Sequence, residues 1–174
     1  GPDKNNASRT GYYLLKYVDP ELKLLQGQSA IHSWIIIRLG EIYLNYAEAM
    51  NEAYGPDAKG IYGKSAREAV NEVRGRVGMP DVVADSKEEM REKIRHERRV
   101  ELAFEDHRFW DVRRWKEGDK HFKSITEMKI SKNADTYTYT RKTVNRQWDD
   151  KMYLFPIPQS ERSKNPNLTQ NPGW

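Results

Sequence analysis

The sequence predicts a mainly α fold: a helical hairpin, then a long buried helix, then an irregular, loop-rich C-terminal segment with at most a short β-hairpin. Three observations carry this. Leu39, Ile42, Tyr43, Tyr46, Ala47, Met50 and Ala53 recur at helical spacing up to a stop at Gly55-Pro56. Ser65, with Glu68 three residues later, is the signature of a capping box ahead of Ala66, Ala69, Val70 and Val73. Finally, the stretch from Lys93 to Trp115 contains neither Gly nor Pro and mixes dense charge with two Trp and two Phe.

Taken in order, residues 1–10 read as a loop or disordered lead-in. Gly11 to Val18 is rich in β-branched and aromatic residues and reads as extended, closed by Asp19-Pro20. Leu22 to Ser33 reads as a loop, and Trp34 to Ile37 suits either a strand or the approach to a helix. The first helix is expected over Arg38 to Tyr54. The second opens at Ser65, runs to about Val77, and is ended by Gly78-Met79-Pro80.

Asp85 or Ser86 caps a third helix, with Glu88 and Glu89 in its first turn, where the helix dipole favours them. It is expected to continue, with or without a bend, to Glu117-Gly118. Along it Ile94, Val100 or Leu102, Phe104, Phe109, Val112 and Trp115 form an apolar band, and Trp110 and Trp115 are assigned to the core. Arg98–Glu101, Glu101–Glu105–Arg108 and Arg108–Asp111–Arg114 are relations of three or four residues, so one helix can wire Arg98, Glu101, Arg108, Asp111 and Arg114 into a structural ion-pair ladder. Burial would make such pairing necessary, and Glu101→Ala should then cost about 3–5 kcal/mol.

From His121 to Trp148 the helical pattern dissolves. Thr136 to Thr140 alternates with period two, as one strand of a hairpin paired near Val144 would. Tyr153 to Pro158 must be extended, because each Pro restricts itself and its predecessor. Asn165 to Trp174 is polar and irregular, and needs Leu168 and Trp174 to pin it. All of this fits one domain over residues 1–174.

Hydrophobic residues make up 37% and charged residues 32%, with a net charge of +4 from 30 basic and 26 acidic side chains. Mean hydropathy is −0.96 and the pI about 9.1. The signs are mixed along the sequence without a basic block, which argues against a nucleic-acid footprint and leaves RNA binding supported by the pI alone. No apolar run approaches the roughly 20 residues that span a bilayer, and the first residues do not resemble a signal peptide. The chain begins with Gly1 where an initiator Met is expected, so it reads as a trimmed piece of a longer protein. With no Cys there is no disulfide, thiolate metal site or Cys nucleophile.

No catalytic or metal site is expected. His96-Glu97 is followed by Val100, so the second His of a zinc-protease helix is missing, and Glu97, Glu101, Glu105 and His107 lack Glu-x-x-His spacing. Nucleophile elbow, P-loop and dinucleotide fingerprints are absent. No cofactor is implied. Aromatic rings are the natural platform for a sugar, whose apolar face stacks while polar neighbours bond its hydroxyls. Trp34, Tyr137, Tyr139 and Trp148 lie outside the expected helices among polar residues and are the ligand-binding candidates; the plainer reading of each is packing against the scaffold.

Several stretches resemble known patterns. Leu39-Gly40 with Tyr43, then Ala69, then Pro80, is similar to the tetratricopeptide pattern, although the connector Gly55 to Lys64 is longer than that repeat's turn. No second copy is visible, and one repeat cannot bury its own faces, so partners must come from the remaining fold or from beyond the chain. Arg38 to Ala49, Ile94 to Glu105 and His107 to Trp115 resemble hallmarks of the SusD/RagB family. So do Tyr153 to Pro158 with Asn165 to Gly173, and Gly11 to Tyr17.

The resemblance implies a non-catalytic lipoprotein on the outer face of the outer membrane in Bacteroidetes, largely helical with tetratricopeptide-like hairpins. Such a protein binds oligosaccharides and hands them to a SusC-like TonB-dependent transporter. Its membrane attachment would be an N-terminal lipid anchor outside this chain, which corresponds to the C-terminal portion of the family. The alternative is a helical-repeat module that binds a protein or peptide and no sugar.

Overall fold

A computed structural model describes residues 14–174, the side chain of Leu24 excepted. The lead-in over residues 1–10 and the first part of the extended reading, Gly11 to Tyr13, lie outside the described residues. The described chain divides into two compact units: residues 21–108, and residues 109–174 with residues 14–20.

The first unit is three helices. α1 (Leu39–Tyr54) and α2 (Ala66–Gly75) form the expected hairpin, and α3 (Lys87–Glu101) packs on both. Ser65 accepts from the Glu68 amide while the Glu68 carboxylate accepts from the Ser65 amide, so the capping box is complete. Ser86, of the two candidates, caps α3 by accepting from the Glu89 amide. The core is Leu44, Ala47, Met50, Ala66, Ala69, Val70, Val73, Met90, Ile94 and Leu102, joined by Val82 and Ala84 from the α2–α3 connector. That connector is stapled by Arg67, which donates to the carbonyls of Val82 and Ala84 at 3.0 and 2.7 Å and chelates Asp57. The long α1–α2 connector is tied in where the Tyr46 hydroxyl donates to the Lys64 carbonyl at 2.6 Å.

Two sequence expectations change here. Leu39 and Ile42, part of the helically spaced apolar set of α1, are exposed, and Leu44 and Asn51, outside that set, are buried. The periodicity is real, but apolar residues ring so much of α1 that spacing alone does not fix which stripe turns inward. The stretch from Lys93 to Trp115, expected as helix with or without a bend, is divided in two: α3 ends at Glu101 and α4 (His107–Arg114) begins after a turn in which Phe104 and Asp106 take positive φ of 63° and 64°. Neither residue is a Gly, so the left-handed turn carries strain that the surroundings must hold. The apolar band is broken accordingly, with Val100 and Phe104 exposed.

The second unit contains the remainder of α4, a one-turn helix α5 (Gly118–His121), a hairpin and the C-terminal tail. β1 (Ser124–Asn133) pairs antiparallel with β2 (Thr136–Asn145) in one unbroken register from Ser124 opposite Asn145 to Asn133 opposite Thr136. The alternating Tyr and Thr residues are therefore in a strand, but Val144 lies on that same strand and the partner is β1. A two-residue turn at Ala134-Asp135 closes the hairpin, with Ala134 left-handed at φ 49°. The tail is extended over Leu154 to Pro158, turns through a short helix α6 (Gln159–Lys164), and is then pinned. Trp174 Nε1 donates to the carbonyls of Lys151 and Leu154 at 3.0 and 3.2 Å, and Gln170 both donates to and accepts from the Ile157 backbone. Of the earlier stretches, Lys16-Tyr17 forms a turn inside the segment read as extended, and Trp34 to Ile37 is irregular and exposed.

Candidate functional site

Tyr137 and Tyr139 stand two residues apart on β2, so their side chains leave the same face of the hairpin. They are 48% and 62% exposed. The pairing register puts Lys132 opposite Tyr137, Ile130 opposite Tyr139 and Met128 opposite Arg141, so these six side chains share that face. Lys132 Nζ lies 5.9 Å from the Tyr137 ring centroid. Two open rings flanked by hydrogen-bonding cations are what a sugar ring needs from a platform: a face to stack on and donors for its hydroxyls.

Trp148 is placed differently. Its indole packs between Phe122 and Tyr153, with ring centroids 5.1 and 5.0 Å away, and lies against Gly118. The Gly118 amide donates to the Tyr153 hydroxyl at 2.8 Å, so the same Tyr that meets Trp148 edge-on also holds the start of α5. Trp34 belongs to the other unit, in the irregular segment before α1, and is 53% exposed. Of the four sequence candidates, then, two share a surface.

A second aromatic group was not anticipated. Trp110, assigned from the sequence to the core, is 55% exposed and meets Phe109 and Phe155 edge-on at centroid distances of 5.1 and 6.1 Å. The Arg113 guanidinium lies 4.9 Å from the Phe109 ring and 4.5 Å from the Phe155 ring, and donates to the Tyr153 carbonyl at 2.6 Å. Trp110 lies within the stretch expected as one buried helix, but the helix that carries it starts only at His107, after the break.

The charged residues between Lys93 and Trp115 turn largely to other elements. Arg38, the N-cap of α1, donates through Nε and Nη2 to the two Glu105 oxygens at 2.7 and 2.9 Å. Its Nη1 reaches Glu101 Oε1 at 2.7 Å, and Nη2 also reaches the Glu101 carbonyl at 2.8 Å. These hydrogen bonds, those of Glu105 foremost, hold the guanidinium pKa above its ordinary value against the opposing effect of burial. Gly40 makes room: a Cβ there would stand 2.6 Å from Arg38 Nη1 and 3.3 Å from Glu101 Oε1. Arg76 also binds Glu101, at 2.9 and 3.1 Å. Arg98 donates to Asn45 at 2.5 Å and lies 3.9 Å from Glu48, and Arg114 pairs with Asp111 at 2.9 Å. Arg108 is partly buried at the end of the first unit.

A cleft of about 480 Å³ opens beside α2, lined by Lys64, Glu68, Asn71, Glu72 and Asp81. A neighbouring one of about 440 Å³ lies between α1 and α2 against Leu39, Tyr43, Val73 and Arg76. Among the described residues no group of His, Asp and Glu is placed to hold a metal ion, and no helix is long and apolar enough to cross a membrane.

Comparison with known proteins agrees across the chain. The profile of the SusD family matches residues 2–174. SusD-like protein P2 of Formosa agariphila is 31% identical over 156 residues, which is 85% of this chain and 27% of that protein. The crystal structure of a SusD-like protein from Bacteroides fragilis is 42% identical, with a TM-score of 0.70, over 82% of this chain and 26% of the other. A SusD superfamily protein from Parabacteroides distasonis is 28% identical, with a TM-score of 0.55, over 81% and 27% of the respective chains. The chain thus spans about a quarter of the length of these relatives. The mainly helical architecture is similar to that of the two solved structures, and the chain belongs to the SusD family.

Proposed function

We propose that this protein binds oligosaccharides at the cell surface without chemically altering them and delivers them to a SusC-like TonB-dependent transporter in the outer membrane. A lipid anchor would hold it on the outer face of that membrane. The observation that carries this reading is the family match over residues 2–174. The open pair Tyr137 and Tyr139 supports it as a stacking surface, with Trp34 as a further exposed ring. Trp148, packed among Phe122 and Tyr153, would contribute by shaping the unit that carries the hairpin. Arg98, Glu101, Arg108, Asp111 and Arg114 would act structurally, holding helices together.

Native gels loaded with soluble polysaccharides test the proposal. Retardation by at least one glycan is the expected result. A second reading, a helical module that binds a protein or peptide, is favoured by Leu39 and Ile42, which α1 leaves open to solvent. Affinity for a protein partner with no retardation by any glycan would favour that second reading.

A further inference from the structure

The β1–β2 hairpin is unusual in what it does not bury. Of its twenty strand residues only Ile125, Ile130 and Val144 are partly covered, and both faces otherwise meet solvent. An isolated hairpin is marginally stable at best and adds little to a core. Its length and composition therefore point to recognition.

Charge is concentrated on it. Residues 123–146 hold Lys123, Lys129, Lys132, Arg141, Lys142 and Arg146 against only Glu127 and Asp135. That excess equals the +4 of the whole chain, so the remainder is balanced. Pairing sorts these charges by face. The face of Tyr137 and Tyr139 carries Lys132 and Arg141 and, along its five pairs, no carboxylate; Glu127, opposite Lys142, falls on the other face. Among the described residues neither Lys132 nor Arg141 has a salt-bridge partner. Lys132, opposite Tyr137, and Arg141, two residues past Tyr139, are separated along the strands by about 14 Å, four residues at roughly 3.4 Å each.

We infer that this face of the hairpin binds an acidic polysaccharide, a polyuronate or a sulfated glycan, the tyrosines stacking on sugar rings while Lys132 and Arg141 pair with the carboxylate or sulfate groups. Charge complementarity selects this occupant: two unpaired cations in a carboxylate-free strip are costly beside a cationic or apolar partner and favourable beside an anionic one. The inference rests on the proposed glycan-binding function and names the class of glycan.

The test uses the protein as its source cells make it, in affinity gels and titration calorimetry with polygalacturonate, a carrageenan, neutral xyloglucan and duplex DNA. Retention by an acidic glycan, weakened about tenfold or more in Lys132→Gln/Arg141→Gln and in Tyr137→Ala/Tyr139→Ala, is the expected result. The opposite-face variant Lys129→Gln/Lys142→Gln, which removes the same charge, should bind nearly as wild type. Equal weakening by both charge variants, or equally tight binding of DNA, would mean unspecific attraction to polyanions and overturn the inference. Binding of xyloglucan alone would overturn it while leaving the glycan-binding function standing, and retention by none of the glycans would overturn both.

Discussion

Replacing Glu105 by Ala should destabilise the helical unit more than any other single change in the charged stretch. Its carboxylate, 3% exposed, accepts two charge-assisted hydrogen bonds from an Arg38 guanidinium that is itself only 24% exposed. Removing one partner of a fully buried pair costs about 3–5 kcal/mol. Here Arg38 keeps its two bonds to Glu101 and some contact with water, which lowers the expected loss to about 2–3 kcal/mol. Glu105 also sits between Phe104 and Asp106, the two left-handed residues of the α3–α4 turn, so its ion pair holds a strained backbone in place. The loss should appear in urea denaturation followed by circular dichroism, and as a fall in Tm of roughly 4–12 °C for a chain of this size. Glu105→Gln, which keeps one acceptor, should lose less. Glu101→Ala should cost less than the 3–5 kcal/mol that full burial would demand, because Arg38 retains Glu105 and the other partner, Arg76, is 60% exposed and regains water. A loss below about 0.5 kcal/mol for Glu105→Ala, the level of an exposed pair, would refute the reasoning.

Three further outcomes are expected. Gly40→Ala gains about 1 kcal/mol in helix propensity, yet should be destabilising by about 1 kcal/mol net in the same denaturation assay, because its Cβ displaces Arg38 from Glu101. Gly118→Ala puts a methyl group inside the volume of the Trp148 indole and should cost about 1–3 kcal/mol, with a changed near-UV circular dichroism spectrum reporting the shifted ring. Arg91 donates to both oxygens of Glu52 at 2.6 and 2.7 Å, and these bonds hold the Glu52 carboxyl below its ordinary value. Because the folded value is the lower one, that contribution is present above the unfolded pKa of about 4.3 and is lost as pH falls through the folded value. Acid titration of stability should therefore show a shallower fall below about pH 4 in Arg91→Gln than in the wild type.

Local signals were the most legible part of the sequence. The Ser65–Glu68 capping box, the Ser86 cap and the stops after Tyr54 are written in adjacent residues, and the structure realises each. What could not be read depends on residues far apart. The break between α3 and α4 has no Gly or Pro to mark it, and is held by Arg38, 67 residues from Glu105. In one unbroken helix the charged residues would pair along it, where the structure turns Glu101 and Glu105 toward α1's N-cap. β1 was missed because its Thr, Lys, Ser and Glu residues show no apolar alternation, as expected of a strand open on both faces. The hairpin's charge excess is countable from the sequence, yet becomes a surface only once the register puts Lys132 and Arg141 on the tyrosine face. Tyr137 and Tyr139 could be paired from their spacing alone, whereas the packing of Trp148 needed Phe122 and Tyr153 to be seen beside it.

The central claim, a cell-surface glycan-binding protein serving an outer-membrane transporter, is tested most directly by locating the protein in its source cells. An antibody raised to this chain would follow it through membrane fractionation, fatty-acid labelling and protease treatment of intact cells. The account predicts an acylated outer-membrane species that external protease digests and that co-purifies with a TonB-dependent transporter. A soluble, unacylated species protected from protease until the cells are broken would contradict it.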